Sequence, residues 1–323
     1  MRLNDREQAI LSAVEHNALM TVRDLARHCG MQEHTARYVL KSLEERGVLK
    51  IAPFISGARL GLQNVGIFFS PQHRAGAHVS TASSGLHEAI LACPEVVWWA
   101  ELGGAYRFGL ALAVRSFVEV QAFLERVAGT YPDLIGDKCL SVELSHYHFG
   151  RKYLGGAPSV ISSSLAAGDA VILDQLDKDI LLAMEHQQVI GKRELSRHLG
   201  APLTTIDRRL SLLRERGVML GIGYHITARA FGMQQFTLLA SSRGYQSLPQ
   251  SRLLQYIAAH PNIIEAYCGL GNWDYEFNVE VSDPRLVPSL TEQLIEAFPN
   301  YLTSIHVVQR FVEHRCRTLP GSL

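Results

Sequence analysis

The sequence predicts an α+β fold made of two tandem units, and three observations carry that expectation. Segments about 170 residues apart match without a gap: Leu3-Asn4, Ile10-Leu11, Glu15-His16, Leu25, Arg27-His28 and Gly30 are answered by Leu173-Asp174, Ile180-Leu181, Glu185-His186, Leu195, Arg197-His198 and Gly200. The match runs on to Glu45-Arg46-Gly47-Val48 and Glu215-Arg216-Gly217-Val218, where an amphipathic helix meets glycine and a strand begins. Each half then continues strand, helix, strand, strand, helix, strand, the βαββαβ order of a ferredoxin-like domain.

Within residues 4–17, Ile10, Leu11 and Val14 recur at helical spacing behind Asn4 or Asp5 as N-cap. Thr21 caps a second short helix through His28, and Gly30 breaks it. A third helix, from about 32 to 46, buries Ala36, Val39, Leu40 and Leu43. Three helices around a tight glycine turn, followed by a strand at 48–55, make a winged helix-turn-helix, and Pro53 places that strand at an edge. The first ferredoxin-like unit is read from strands at 64–70, 96–101, 108–115 and 138–146 with helices at 85–92 and 117–130. The second has strands at 235–241, 263–269, 275–281 and 304–312 with helices at 252–259 and 288–298. Pro94, Pro132, Pro261 and Pro299 each follow a helix and stop it before the next strand.

The domains expected are therefore a winged helix-turn-helix at 1–55, an α/β domain at 56–153, a linker at 154–170, a second winged helix-turn-helix at 171–225 and a second α/β domain at 226–318. The linker is rich in Gly, Ser and Ala, a composition that reads as flexible. A similar stretch, 70–85, is a long loop inside the first α/β unit, of the kind that is either functional or disordered.

A chain of 323 residues with 47% hydrophobic and 19% charged residues is a globular protein of several domains rather than a disordered one. Its 31 basic and 31 acidic residues cancel, so any nucleic-acid binding must come from local basic faces rather than an overall field. Cys29, Cys93, Cys139, Cys268 and Cys316 are odd in number and scattered, with no C-x-x-C pair; this excludes a disulfide framework or zinc ribbon and fits a reducing cytoplasm. The residues after Met1 lack a signal peptide's apolar stretch, and the longest apolar runs are too short to span a bilayer, so no membrane partner is expected.

The second half holds Leu176-Asp177-x-x-Ile180-Leu181, then Thr204-Thr205-Ile206-Asp207-Arg208-Arg209-Leu210, then Gly232, then Gly269-Leu270-Gly271-Asn272-Trp273-Asp274-Tyr275. On these motifs the chain resembles the Lrp/AsnC family of bacterial regulators, over nearly its whole length and taken twice. The resemblance implies a recognition helix with paired arginines, a hinge into the α/β domain, and a glycine-rich effector loop ending in Asp. It also implies self-association through the α/β domains, either inside the tandem chain or between chains. The first half departs from the pattern: Tyr38-Val39 replaces the paired arginines, and its loop reads Gly103-Gly104-Ala105-Tyr106-Arg107, with Arg107 where the second half has Asp274.

A recognition helix needs polar residues near its N-terminus for base edges and cations for phosphates. The candidates for contact with double-stranded DNA are Gln32, His34, Thr35, Arg37 and Lys41 in the first half and Thr204, Thr205, Arg208 and Arg209 in the second. The rival reading is a solvated helix face whose cations pair with Glu45 or Asp207. For an amino-acid-like effector the candidates are Gly269, Gly271, Asn272 and Asp274, with backbone N–H groups receiving a carboxylate and Asp274 an ammonium. A plain β-turn explains the same glycines.

His146 and His148 point to one face of a strand with Glu143 near by, yet the sequence positions no third ligand, and strand histidines without a metal are the preferred reading. Trp98-Trp99 and Trp273 read as core or interface aromatics. No cofactor is expected. The function expected is that of a DNA-binding transcription regulator, not an enzyme. The alternative is a siroheme-decarboxylase-like enzyme, because those enzymes resemble Lrp/AsnC proteins and are built from two such units. Their Asn-Tyr-x-Arg stretch has no match at Val97-Trp98-Trp99-Ala100-Glu101 or Ile264-Glu265-Ala266-Tyr267-Cys268.

Overall fold

A computed structural model describes residues 3–71, 79–131, 135, 137–156, 159–244 and 247–323. The first half begins with three helices, α1 (Asp5–Val14), α2 (Val22–His28) and α3 (Glu33–Glu45), and a wing strand β1 (Leu49–Ile55). Its α/β unit follows as β2 (Gln63–Ser70), α4 (Val79–Ala92), β3 (Val96–Gly104), β4 (Phe108–Val114), α5 (Phe117–Thr130) and β5 (Asp137–His148). A short strand, β6 (Ile161–Ser164), precedes the second half. That half repeats the order with α6 (Gln175–His186), α7 (Lys192–Leu199), α8 (Leu203–Glu215) and β7 (Met219–Ile226). Its α/β unit is β8 (Gln234–Ser242), α9 (Ser247–Ala259), β9 (Ile263–Gly271), β10 (Tyr275–Val281), α10 (Leu286–Ala297) and β11 (Leu302–Cys316).

Helix starts follow local chemistry. Asn4 caps α1 in a full capping box with Glu7, Thr21 caps α2 through Asp24 N–H, and Asp174 caps α6 through Asp177 N–H. In α3 the caps and the buried Ala36, Val39 and Leu43 lie where the sequence places them, while Leu40 is only half-buried.

The two wing strands pair antiparallel with each other, Leu49 opposite Ile226 and Pro53 opposite Ile222. In a two-stranded ribbon each strand has a free side, which accommodates Pro53. Through this ribbon the helix-turn-helix cores are exchanged: Tyr224 and Ile226 complete the first, and Ile55, Leu60 and Leu62 the second. Gly223 is required at the crossing, because a Cβ there would meet the Glu15 carbonyl oxygen at 2.1 Å.

The two α/β sheets close into one barrel. Strand order is β2-β4-β3-β11-β8-β10-β9-β5, and β5 returns to β2. Each half supplies four neighbouring strands, and the seams between halves are β3–β11 and β9–β5. Helices α4 and α5 cover one outer face, with Leu86, Ile90 and Phe123 packed on Val65, Ile67 and Leu110, and α9 and α10 cover the other. Burying a large apolar side chain of this kind contributes about 1.5–3 kcal/mol.

Two sequence expectations change. The linker is not free chain: β6 pairs with β5, Ser145 Oγ lies 2.9 Å from Ser164 Oγ, and Ser56 Oγ lies 2.8 Å from Ser163 Oγ. Serines of this stretch, whose composition reads as flexible, are hydrogen-bonding residues. Helix α4 starts at Val79, so part of the stretch read as loop is helical; residues 72–78 lie outside the described residues, as do Pro132 and Asp133.

Candidate functional site: a barrel cavity beneath two recognition helices

On α3, Gln32, His34, Arg37 and Lys41 are exposed and Thr35 is half-buried; on α8, Thr204 and Arg208 are exposed and Thr205 is half-buried. Lys41 reaches Glu45 at 3.5 Å across an exposed face, a contact weak enough to yield to a phosphate. Arg209 is different. It bonds Asp174 at 2.5 Å and Asp177 at 3.3 Å, tying α8 to the start of α6, so it is a scaffold residue and the free cation of the pair is Arg208. Asp207 is paired with Lys192.

The expected effector residues lie at a seam of the barrel. The Asn272 amide bonds the Leu140 carbonyl at 3.2 Å while its Oδ1 accepts from Leu140 N–H at 3.0 Å. Gly271, at φ +149°, passes so close that a Cβ would meet the Leu140 oxygen at 2.1 Å. The N–H groups of Gly269 and Asp274 bond Asp274 and Ala240 carbonyls, and the Asp274 carboxylate accepts from Ser242 N–H at 2.6 Å and Ser242 Oγ at 2.8 Å. Three of the N–H groups expected to cradle a carboxylate are thus engaged, that of Asn272 across the seam and those of Gly269 and Asp274 within the second half. The loop of the first half occupies the other seam, where a Cβ on Gly104 would meet the Val307 oxygen at 2.9 Å.

Behind this loop the barrel encloses a cavity of about 270 Å³, to which Gly269 and Asp274 contribute wall. Strand alternation builds it. In β10, Tyr275, Phe277 and Val279 face the helices, while Glu276 and Asn278 face inward; in β4, Leu110 and Leu112 face out and Ala111 faces in. An apolar cluster of Phe68, Leu102, Leu239, Trp273 and Val308 fills one end. The opposite end lies under the wing ribbon, with Phe54, Tyr224 and His225 in the lining.

Six acidic residues line this cavity; beside Asp274 and Glu185, four of them each accept from one neutral N–H donor: Glu143 from Asn64 at 3.0 Å, Glu265 from Asn278 at 2.9 Å, Glu276 from Trp273 at 2.8 Å and Glu313 from Trp98 at 3.0 Å. Burial pushes Glu276 up to about 7, with Glu143 adding repulsion and hydrogen bonds from Trp273 and Ser141 opposing. Burial also raises Glu143. Burial opposes ionisation of Glu265 too, but His148, His146, Asn278 and Arg310 together bring it down to about 2. His148 Nε2 lies 3.6 Å and His146 Nε2 3.9 Å from Glu265, and His146 stacks on Tyr267 with ring centroids 4.3 Å apart. Burial lowers His148 to about 4, so it is neutral near pH 7.

His146 and His148 do share a face, as their spacing predicts. His148 also brings a ligand atom within 4.8 Å of those of Glu15 and His16. Both Glu15 oxygens already accept from Arg151, from its N–H at 2.8 Å and Nη1 at 2.6 Å, and the guanidinium supplies the positive charge a metal ion would bring. Trp99 is buried in the first α/β core, whereas Trp98 lines the cavity. All five cysteines are free, and among the described residues no helix is long and apolar enough to cross a membrane.

Comparison with known proteins agrees with this architecture. Residues 3–50 match the family model described as winged helix-turn-helix DNA-binding. The HTH-type transcriptional regulator FL11 of Pyrococcus furiosus is 31% identical over 105 residues, which cover 32% of this chain and 67% of that protein. Its namesake in Pyrococcus horikoshii is 33% identical over 106 residues, 32% of this chain and 68% of that protein. The solved siroheme decarboxylase NirDL shares the fold over 98% of this chain and 94% of its own, at 16% identity and a TM-score of 0.63. It has also been solved with an iron-uroporphyrin III analogue, with a TM-score of 0.62 and 15% identity over 99% of this chain and 95% of its own. The chain belongs to the Lrp/AsnC-like family of winged helix-turn-helix proteins that includes the FL11 regulators.

Proposed function

We propose that this chain is a sequence-specific DNA-binding transcription regulator that carries both readers of a regulator dimer in one polypeptide and responds to a small molecule. The observation that carries the reading is the pair of third helices, each with an outward polar and cationic face, in a chain whose residues 3–50 match a winged helix-turn-helix DNA-binding model and which is related to the FL11 regulators. The pairing through α/β domains that the family resemblance implies is made inside the chain, at the two barrel seams. The effector site of this proposal is the barrel cavity. Its lining includes Phe54 and His225 of the wing ribbon, to which both recognition helices are directly joined, so occupancy has a short physical route to DNA.

A second reading, an enzyme of the siroheme-decarboxylase kind, is favoured by the whole-chain likeness to NirDL and by histidines in the cavity. The excess of carboxyls in the lining, six acidic residues against Arg151, Arg310 and Arg317, weighs against it, because a uroporphyrin-type ligand is itself a polycarboxylate. A mobility shift with DNA from upstream of the chain's own reading frame, set beside the absorption spectrum after incubation with an iron uroporphyrin, separates the two. Retarded DNA and an unchanged tetrapyrrole spectrum support the regulator. A shifted Soret band without retarded DNA supports the enzyme.

A further inference from the structure

The barrel interior is short of positive charge. The lining sets Glu143, Glu185, Glu265, Asp274, Glu276 and Glu313 against Arg151, Arg310 and Arg317; Arg151 is committed to Glu15 and Glu280, Arg317 donates to the Pro94 and Val96 carbonyls, and Arg310 lies 3.6 Å from Glu313. Arg310 is 8% exposed and its Nε has no hydrogen-bond partner, so it holds a donor toward the cavity it lines. The walls are aromatic: Phe68, Trp98, Tyr267 and Trp273, with Phe68 and Trp273 edge-to-face at 5.0 Å. Carboxyls with aromatic faces suit an organic cation, which gains from both.

We propose that the cavity binds a small, net-positive organic amine bearing a hydrogen-bond acceptor, with its ammonium set between Glu143 and Glu276 and its acceptor on Arg310 Nε. A zwitterion adds no net charge and leaves the carboxyl excess uncorrected. A carboxylate ligand worsens it. A cation offsets it, and because burial holds Glu276 half-protonated near neutrality, binding releases a proton. The groups facing Glu276 in this exchange are Glu143, Arg310, Trp273 and Ser141. The word effector for this molecule rests on the regulator reading; the binding itself does not, and it is measured without DNA.

The test is calorimetric titration of the full chain at pH 7 with tyramine and ethanolamine. Tyrosine and serine serve as their zwitterionic counterparts, 4-hydroxyphenylacetate as the anion and an iron uroporphyrin as the polycarboxylate. Phosphate and MOPS buffers, which differ in ionisation enthalpy and bring no cationic primary amine to compete for the site, count protons. The expected result is binding of at least one amine, more than tenfold tighter than its zwitterion, with a fraction of a proton released. In the variant carrying Glu143→Gln and Glu276→Gln, affinity falls at least tenfold and proton release disappears. The glutamines keep an acceptor for Asn64 and Trp273, so the variant's folding can be checked by its melting curve. Binding of a zwitterion, anion or porphyrin in preference to both amines overturns the proposal. So does amine binding without proton release, or no binding by either amine.

Discussion

Arg151 grips Glu280 in a fork, donating from Nε at 2.8 Å and from Nη2 at 2.9 Å. Its other donors go to Glu15 in the first helix-turn-helix and to the Ile226 carbonyl in the second wing, so one side chain ties both winged-helix units to the barrel. Glu280 is fully buried and also accepts from the Tyr153 hydroxyl at 2.5 Å. Removing the cation leaves two buried carboxylates uncompensated. Arg151→Met should therefore cost about 3–5 kcal/mol in urea unfolding, and adding Glu280→Gln should restore part of it. An Arg151→Met protein of unchanged stability contradicts this assignment.

The two arginines of α8 should behave differently. Arg208→Ala is expected to leave the melting temperature in place while weakening DNA binding and reducing its salt slope by about one unit, as loss of a single phosphate contact does. Arg209→Ala should instead lower stability, on the order of 1 kcal/mol, because its ion pairs to Asp174 and Asp177 hold α8 against α6. Equal effects of the two changes on DNA alone would refute the distinction.

Glu276 gives a pH signature. Its folded-state pKa, about 7, lies above the ordinary carboxylate value, so between that value and 7 the unfolded chain has released a proton that the folded chain keeps. Stability is therefore lost as pH rises through this window. Glu276→Gln removes the loss: the variant should be more stable than the parent at pH 8, by up to about 3 kcal/mol, with little difference at pH 4. A variant less stable at pH 8 than at pH 4, relative to the parent, reverses the sign and the explanation.

The β9–β5 seam can be broken at one atom. Gly271→Ala places a methyl group 2.1 Å from the Leu140 carbonyl oxygen in a backbone conformation that L residues avoid. The expected cost is at least about 2 kcal/mol, with Trp273 fluorescence shifting toward that of solvated indole as the loop parts from β5. A variant with parent stability and emission shows that the seam does not need the glycine.

The parts legible in the sequence were local. Helix caps at Asn4 and Thr21, the glycine turns and the two strand-helix orders follow from neighbours along the chain, and the fold class followed with them. The barrel was not legible, because its seams join residues such as Leu140 and Asn272 that are far apart in sequence. Alternation alone does not reveal it either: Glu276 and Asn278 between Tyr275, Phe277 and Val279 have the pattern of a solvent-facing strand, yet the polar face looks into a closed barrel. Glu143 and His146 were noticed as a possible cluster, but their partners Asn64, Glu265 and Tyr267 come from other strands. Arg209, chosen as a DNA contact for its place beside Arg208, sits on the flank that meets α6, which helical spacing alone did not reveal.

The regulator reading is tested most directly by selection from a pool of random DNA duplexes with the full-length chain, followed by titration of the enriched duplex at several salt concentrations. Gln32-Glu33-His34-Thr35 and Pro202-Leu203-Thr204-Thr205 present different side chains, so one asymmetric motif should emerge rather than a perfect inverted repeat. Its log affinity should fall with log salt by about 0.9 for each phosphate contacted, and the combined change Arg37→Ala, Lys41→Ala, Arg208→Ala should abolish the enrichment. A pool that acquires no motif, or one enriched equally by the parent and the triple variant, contradicts DNA recognition by these helices.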